Sequence, residues 1–243
     1  MKNVLSLTLL SALAIAPCFA TIYPTTIYDA TAATDPNDVR GDPAKFDIYS
    51  LTFSNFNTTN NTLQINIDFN YGGGFSAGKF QPFTIAGFSI GSTDVQLNVG
   101  DIFFASGSTQ FAIVMSGHDG LNQGSLYSIT GTKDAGTVLG NPVGYYRPAQ
   151  AVWADAVGAS EAGTGSITAT NLGGYRYDAA ITVSTDGAFR SLLDSSYHVE
   201  FEAATCGNDV IAGNVAATAT PEPATMAMFA AGLMAMGSFR RKS

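Results

Sequence analysis

Cysteine and histidine are scarce in this sequence, and their scarcity excludes several kinds of site. The 243 residues include two cysteines and two histidines. Cys18 and Cys206 do not form a C-x-x-C pair, and His118 and His198 stand far apart without the H-E-x-x-H spacing of zinc proteases. We therefore expect neither a disulfide framework nor a zinc site.

Basic residues are also few. Lysine and arginine number 11 against 19 acidic residues, which gives a formal net charge of -8. Nucleic acids and anionic lipid surfaces bind proteins largely through basic patches, so a chain of this charge is poorly suited to either. We expect no nucleic-acid partner.

Signals for catalysis are weak. The chain is not expected to form the strand–turn–helix elbow that presents a catalytic serine, and Cys206 has no histidine near it in the sequence. The glycine run at residues 72–74 lies between β-type segments, without a following helix that could bind a phosphate. A glycosidase needs only two carboxylates, and 19 acidic residues make such a pair impossible to recognise. The sequence predicts a non-catalytic protein, with a secreted hydrolase as the enzymatic alternative.

Residues 1–20 have the pattern of a secretory signal peptide. Lys2 supplies the positive charge, residues 4–16 are apolar, and Ala20 ends a small-residue cleavage site. We predict export through the Sec translocon and cleavage after Ala20. The alternative is a lipoprotein signal, because residues 15–18 resemble a lipobox that ends in a cysteine.

Removal of residues 1–20 would leave Cys206 as the only cysteine, so no internal disulfide could form. Two interpretations of Cys206 remain open at this point. It is either a small apolar core residue or a thiol available for pairing between chains.

The C-terminal residues 220–243 have three consecutive parts. A short motif of Pro221, Glu222 and Pro223 precedes the uncharged residues 224–239, and the chain closes with Arg240, Arg241, Lys242 and Ser243. A helix over residues 224–239 would be about 24 Å long, which is shorter than the hydrocarbon core of about 30 Å. Basic residues hold such an end on the cytoplasmic side. The pattern favours a transiently inserted processing signal over a lasting anchor.

These three parts, in this order, resemble the PEP-CTERM sorting signal of Gram-negative bacteria. The resemblance implies recognition by an exosortase, a membrane transpeptidase-like enzyme, and cleavage near residues 221–223. It also implies an inner-membrane intermediate, delivery to the cell surface or extracellular matrix, and association with exopolysaccharide or biofilm. The alternative is a plain hydrophobic anchor. The upstream chain, including residues 38–42 and 206–209, is similar to the body of many such proteins, for which we can infer no activity.

The exported part of the chain has a β composition. The whole sequence contains 26 glycines and abundant Thr, Ser and Asn. In residues 63–70 apolar side chains alternate strictly with polar ones, which is typical of a half-buried strand. Further strands are predicted at residues 46–53, 83–90, 95–99, 102–105, 110–115, 125–130, 166–171, 175–183 and 197–203.

Strands of this length and spacing favour a single all-β domain over residues 21–206, a β-sandwich of the jelly-roll type. Residues 131–165, rich in glycine and alanine, are predicted to form a long loop. One or two helical turns are expected at residues 186–193. The small residues 207–219 are predicted to form a flexible tether.

Acidic and amide side chains cluster at residues 35–47, beside Gly41 and Pro43. Hard oxygen ligands in a turn-rich loop suit calcium, although the spacing is not that of an EF-hand. We predict Asp38, Asp42 and Asp47 as calcium ligands. The alternative is turn and capping chemistry, which enriches the same residue types.

A second candidate site is aromatic. Tyr145, Tyr146 and Trp153, the only tryptophan, lie close together in the predicted long loop. Sugar rings stack on such side chains, so the three residues are a candidate glycan platform. Packing of the same rings into a small hydrophobic cluster is the alternative. The sequence as a whole predicts an exported, exosortase-processed, non-catalytic surface protein, with a calcium-dependent carbohydrate-binding module as the alternative function.

Overall fold

The computed structural model describes residues 25–29, 38–57 and 61–216, with the side chains of residues 55–57 left aside. They belong to one compact unit, Thr21–Thr218. Within these described ranges, no helix has the length and apolar character needed to cross a membrane. The predicted signal peptide and the predicted C-terminal membrane helix lie outside them.

The described elements are mostly short strands. In chain order they are β1 Thr25–Tyr28, α1 Pro43–Phe46, β2 Ile48–Asn57, β3 Thr62–Asn70, β4 Phe75–Ser76, β5 Lys79–Phe80, β6 Ser89–Ile90, β7 Thr93–Asp94, β8 Ile102–Ser106, β9 Thr109–Ile113, β10 Leu126–Ile129, β11 Thr132–Asp134, α2 Ala135–Leu139, β12 Ala151–Ala154, β13 Ser160–Gly163, β14 Gly165–Gly173, β15 Arg176–Ser184, α3 Gly187–Leu193, β16 Tyr197–Glu202 and β17 Val210–Val215.

The strands form two main sheets. The first has the order β1-β2-β3-β15-β14 and the second the order β13-β10-β9-β8-β16-β17, with every pairing antiparallel. The remaining strands pair as the small hairpins β4–β5 and β6–β7 and as the ribbon β11–β12. The chain therefore completes hairpins within one sheet and crosses to the other after β3, β13 and β15.

Aromatic side chains join the two sheets into a sandwich. Phe69 of β3 lies edge-on to Phe201 of β16, with ring centroids 5.3 Å apart. Phe53 of β2 meets Phe104 of β8 at 6.1 Å in the same way. These rings are buried in one continuous hydrophobic core between the sheets. The predicted all-β sandwich is confirmed.

The predicted strand with the strongest alternation, residues 63–70, is present as β3. Strands β2 and β3 form an antiparallel hairpin that matches Leu51 with Ile67 and Phe53 with Ile65, all fully buried. The predicted helical turns are present as α3. Its N-cap is Asp186, whose Oδ1 accepts a hydrogen bond of 2.7 Å from the Phe189 amide.

Three predictions for the middle of the chain are wrong. Residues 131–165 are not one long loop, since they contain β11, α2, β12 and β13. Conversely, residues 83–90 and 95–99 do not form full strands: Phe83 makes an isolated bridge to Leu97, and within these segments only Ser89–Ile90 is regular. The glycine and alanine content misled in the first case. Apolar content misled in the other two, because side chains of both segments pack against the core without ladder pairing.

The predicted tether is wrong over Val210–Val215, which form the edge strand β17. The small residues that suggested flexibility have a packing reason. A Cβ on Gly213 would stand 2.9 Å from Cδ1 of Ile27 in β1, so only glycine allows the two edge strands to approach. Contact between β1 and β17 joins the first and last strands of the domain.

Candidate functional site

The three predicted calcium ligands occupy different surroundings. Asp42 is the N-cap of α1: its Oδ1 accepts from the Ala44 amide at 3.1 Å, and its Oδ2 lies 3.2 Å from Lys45 Nζ. Asp47 is buried at the C-terminal end of the same helix. Asp38 instead belongs to a group of three carboxylates. Asp42 and Asp47 are not members of that group, and calcium binding by the predicted set stays a prediction.

The group that contains Asp38 is completed by Asp29 and Asp209, and we name these three residues the carboxylate cluster. One oxygen of each side chain lies within 4.8 Å of the others. Asp29 follows β1, Asp38 precedes α1, and Asp209 precedes β17. The cluster therefore brings together both ends of the domain.

Main-chain hydrogen bonds hold the three segments in place. The Asp29 amide donates to the Tyr49 carbonyl at 3.3 Å, and the Arg40 amide donates to the Asn208 carbonyl at 2.7 Å. The Asp209 carboxylate itself accepts from the amides of Ile48 and Val210. These bonds fix the carboxylate positions through backbone that belongs to the core sheets.

The electrostatics of the cluster are unfavourable to negative charge. Asp209 is fully buried, and burial raises its pKa to about 8, with the carboxylates of Asp29 and Asp38 adding repulsion. Its bonds from the Ile48 and Val210 amides act in the opposite direction. Beside it, Asn208 is also fully buried, and neither of its side-chain amide atoms has a hydrogen-bond partner within the described residues.

The three aromatic residues of the predicted glycan platform have different surroundings. Tyr145 is 76% exposed. Tyr146 packs edge-on against Phe88 at 5.9 Å, and Trp153 stacks face-to-face on His118 with centroids 4.3 Å apart. Glycan binding by these residues stays a prediction, and only Tyr145 offers a largely exposed ring.

An open groove lies on the outer side of the second sheet. Its floor is apolar and includes Phe103, Phe104 and Ile129. Its polar lining is formed by Gln110, Thr132, His198 and Glu200. Apolar surface with a few surrounding hydrogen-bonding groups is the usual composition of a small-ligand site.

Asp101 is the centre of a buried polar network. Its Oδ1 accepts from the Met115 amide at 3.1 Å, and its Oδ2 accepts from the Ala154 amide and from Nε2 of His118, both at 2.9 Å. Since Asp101 is fully buried and accepts from three segments, it fixes the tautomer of His118 and supports the stack on Trp153. The histidine thereby has a structural role.

The G-x-S-x-G spacing of a nucleophile elbow occurs twice in the sequence, at Ser76 and at Ser89. Ser76 ends β4 and Ser89 begins β6, each in a two-stranded hairpin rather than between a strand and a helix. The imidazoles of His118 and His198 bond to Asp101 and Asn214 instead. Neither serine has the geometry of an elbow.

Comparison with known proteins identifies the C-terminal segment. Residues 219–242 match the model of the PEP-CTERM protein-sorting motif. The chain carries a PEP-CTERM sorting signal. It is accordingly an exported protein with a membrane-anchored sorting signal, and exosortase processes it.

The PEP-CTERM match covers all six predicted sorting residues, namely Pro221, Glu222, Pro223, Arg240, Arg241 and Lys242. They lie outside the residues that the structure describes. No curated protein and no solved structure matches this PEP-CTERM chain. The identification therefore concerns sorting, and the role of the β-sandwich has to be inferred from its own geometry.

Sequence reasoning missed Asp29 and Asp209 of the PEP-CTERM chain. Asp29 stands alone in the sequence, and Asp209 lies within residues 207–219, which the sequence predicted to be a flexible tether. The one available signal was the Asn208–Asp209 pair, a turn-type dipeptide just before a hydrophobic pair. Only the meeting of β1 and β17 brings these residues to Asp38.

A further buried acid, Glu202, shares a hydrogen-bond donor with Glu200 of the groove. Glu202 is fully buried, and its Oε1 accepts from Nε2 of Gln150 at 3.1 Å, an amide that it shares with Glu200. Burial raises the pKa of Glu202 well above its ordinary value, and the Glu200 carboxylate raises it further, while Gln150 lowers it. An acid of this kind destabilises the fold as the pH rises.

We expect Glu202→Gln to raise stability at pH 7 by about 1 kcal/mol, or about 2–4 °C in Tm. Because the folded pKa is raised, the native state holds a proton that the unfolded chain releases. Stability is therefore complete below the unfolded pKa and declines as the pH rises toward the folded one. Thermal unfolding from pH 4 to pH 8 measures the effect: the parent's Tm declines relative to that of the variant. The control is Glu161→Gln at an exposed position, and parallel profiles for the parent and Glu202→Gln would contradict the expectation.

Proposed function

We propose that the β-sandwich is a non-catalytic component of the cell surface or extracellular matrix of a Gram-negative bacterium, associated with exopolysaccharide or biofilm. The observation that carries this proposal is the PEP-CTERM motif at residues 219–242, on the same chain as a β-sandwich with its own core. The motif directs the chain to exosortase. The sandwich is then the part of the chain that the motif delivers.

The geometry of the domain supports a role without chemistry. Ser76 and Ser89, the serines with G-x-S-x-G spacing, lie in two-stranded hairpins, and His118 and His198 hydrogen-bond to Asp101 and Asn214 rather than to either serine. The net charge of -8 suits a hydrated, neutral or cation-bridged polymer better than an anionic surface.

The test is co-sedimentation of the mature protein, recovered from its host, with the host's purified exopolysaccharide. We expect saturable binding that survives physiological salt, because a neutral polymer is bound through hydrogen bonds and apolar contacts rather than through ion pairs. The matched control is protein from cells in which Pro221 and Pro223 are both replaced by alanine, which we expect to stay unprocessed in the membrane fraction. Correct processing together with no sedimentation would overturn the polysaccharide association and leave the sorting intact.

A carbohydrate-binding module is the second candidate, and the groove favours it. The hydroxyl groups of a sugar ring could reach Gln110, His198 and Glu200 while its apolar face covers Phe103. Titration of soluble oligosaccharide fragments from the host polymer distinguishes the groove from the predicted aromatic platform. Loss of binding in Gln110→Ala supports the groove, loss in Tyr145→Ala supports the platform, and retention in both variants argues against either site.

A further inference from the structure

The carboxylate cluster has the dimensions of a cation site. Its three side chains each place one oxygen within 4.8 Å of the other two. Oxygens that bind the same calcium ion lie about 2.3–2.6 Å from it, so two of them are separated by at most about 5 Å. Magnesium requires shorter bonds of about 2.0–2.1 Å and a strict octahedron, and the spread of the cluster fits it less well.

Carboxylates at these distances repel one another, and the repulsion is strongest where water is excluded. Asp209 is fully buried, while Asp29 and Asp38 are partly buried. A divalent cation replaces the repulsion by attraction to three oxygens at once. Arg147 lies close by, but its guanidinium donates to the main-chain carbonyl of Asp38.

Asn208 gives an independent indication of a ligand. Its side chain is fully buried, yet Nδ2 and Oδ1 have no partner among the described residues. Burial of an amide without hydrogen-bond partners is costly in an apolar medium, and native structures rarely contain one. The amide is directed at the loop that carries Asp38, because Nδ2 stands 3.1 Å from the position that a Cβ on Gly41 would take. An amide oxygen is a normal calcium ligand.

We propose that Asp29, Asp38 and Asp209 bind one calcium ion, with the side-chain oxygen of Asn208 as a further ligand. This set shares only Asp38 with the set that the sequence suggested. The ion would connect the segment after β1 to the segment before β17, so that the first and last strands of the domain are held by a common ligand. The proposal goes beyond the proposed function and does not depend on any polysaccharide.

The test is calorimetric titration of calcium chloride into the full chain in mild detergent, after treatment with a chelator. We expect one site with a Kd of about 10⁻⁴–10⁻³ M, the range of extracellular calcium modules. Asp38→Asn and Asp209→Asn should each weaken binding at least tenfold. The matched control is Asp42→Asn, four residues from Asp38 in the same loop, which should keep the parent's affinity within twofold.

Thermal unfolding with calcium and with chelator gives a second measurement. Calcium should raise the Tm of the parent and of Asp42→Asn but not that of Asp38→Asn. The Asp38 variant keeps the test decisive if Asp209→Asn fails to fold, since the Asp209 carboxylate also accepts from the Ile48 amide. No saturable binding by the parent would overturn the proposal. Unchanged affinity in Asp38→Asn would also overturn it. So would an equal loss of affinity in Asp42→Asn, because the calcium ligands would then lie within the loop of residues 35–47 rather than in the carboxylate cluster.

Discussion

Replacement of Phe69 by alanine is expected to lower the free energy of unfolding by about 3–5 kcal/mol. The Phe69 ring is fully buried and contacts Phe80 at 5.5 Å and Phe201 at 5.3 Å. Because Phe201 belongs to the opposite sheet, alanine would leave a cavity at the junction of the two layers that neither sheet could close alone. Urea unfolding followed by circular dichroism measures the loss, and the corresponding fall in Tm is roughly 10 °C.

The control for Phe69 is Tyr145→Ala, an aromatic deletion at a position that is 76% exposed. It should change the free energy of unfolding by less than about 0.5 kcal/mol. A loss below about 1 kcal/mol in Phe69→Ala would show that the sheets do not pack through this ring.

The second large effect is expected at Asp101. Asp101→Ala would leave the amides of Met115 and Ala154 and the imidazole of His118 without their shared acceptor. Each buried donor left unsatisfied costs about 1–3 kcal/mol, so we expect a loss of about 3–6 kcal/mol in the free energy of unfolding. Asp101→Asn keeps one acceptor oxygen and should lose about half as much.

Trp153 provides a local measurement of the same change. It is the only tryptophan, and it stacks on the histidine that Asp101 orients. The near-ultraviolet circular dichroism of tryptophan should therefore weaken in Asp101→Asn even where the fold persists. Asp94→Ala, at an exposed position, is the control. An unchanged tryptophan spectrum together with unchanged stability would contradict the role of Asp101.

The sequence predicted the fold well where one face of a strand is buried and the other is exposed to solvent. Residues 63–70 alternate strictly, and β3 pairs as that pattern requires. Prediction was poorer for strands made of small residues. In β17, Ala212 and Gly213 stand where large side chains would otherwise alternate, and Ile27 of β1 approaches Gly213 closely. A close approach of this kind depends on tertiary contacts between distant segments, so it produces no periodic pattern in the local sequence.

The candidate site could be predicted only in part for a related reason. A run of acidic residues in one loop is visible in the sequence, and it gave Asp38. Its partners come from the two ends of the domain, and only the contact between the edge strands β1 and β17 brings Asp29 and Asp209 together. The capping role of Asp42 is equally local, but it competes with metal binding for the same residue type.

Because Cys206 is buried, the rate at which its thiol is modified measures how often the protein unfolds. Its side chain is inaccessible, and burial raises its pKa to about 12, so the folded protein presents no thiolate to oxidants or alkylating reagents at neutral pH. Modification has to wait until the chain opens, and its rate then reports how often the native state opens. In an oxidising compartment, covalent dimers through Cys206 would accordingly arise from molecules that had not completed folding, and they would mark those molecules chemically.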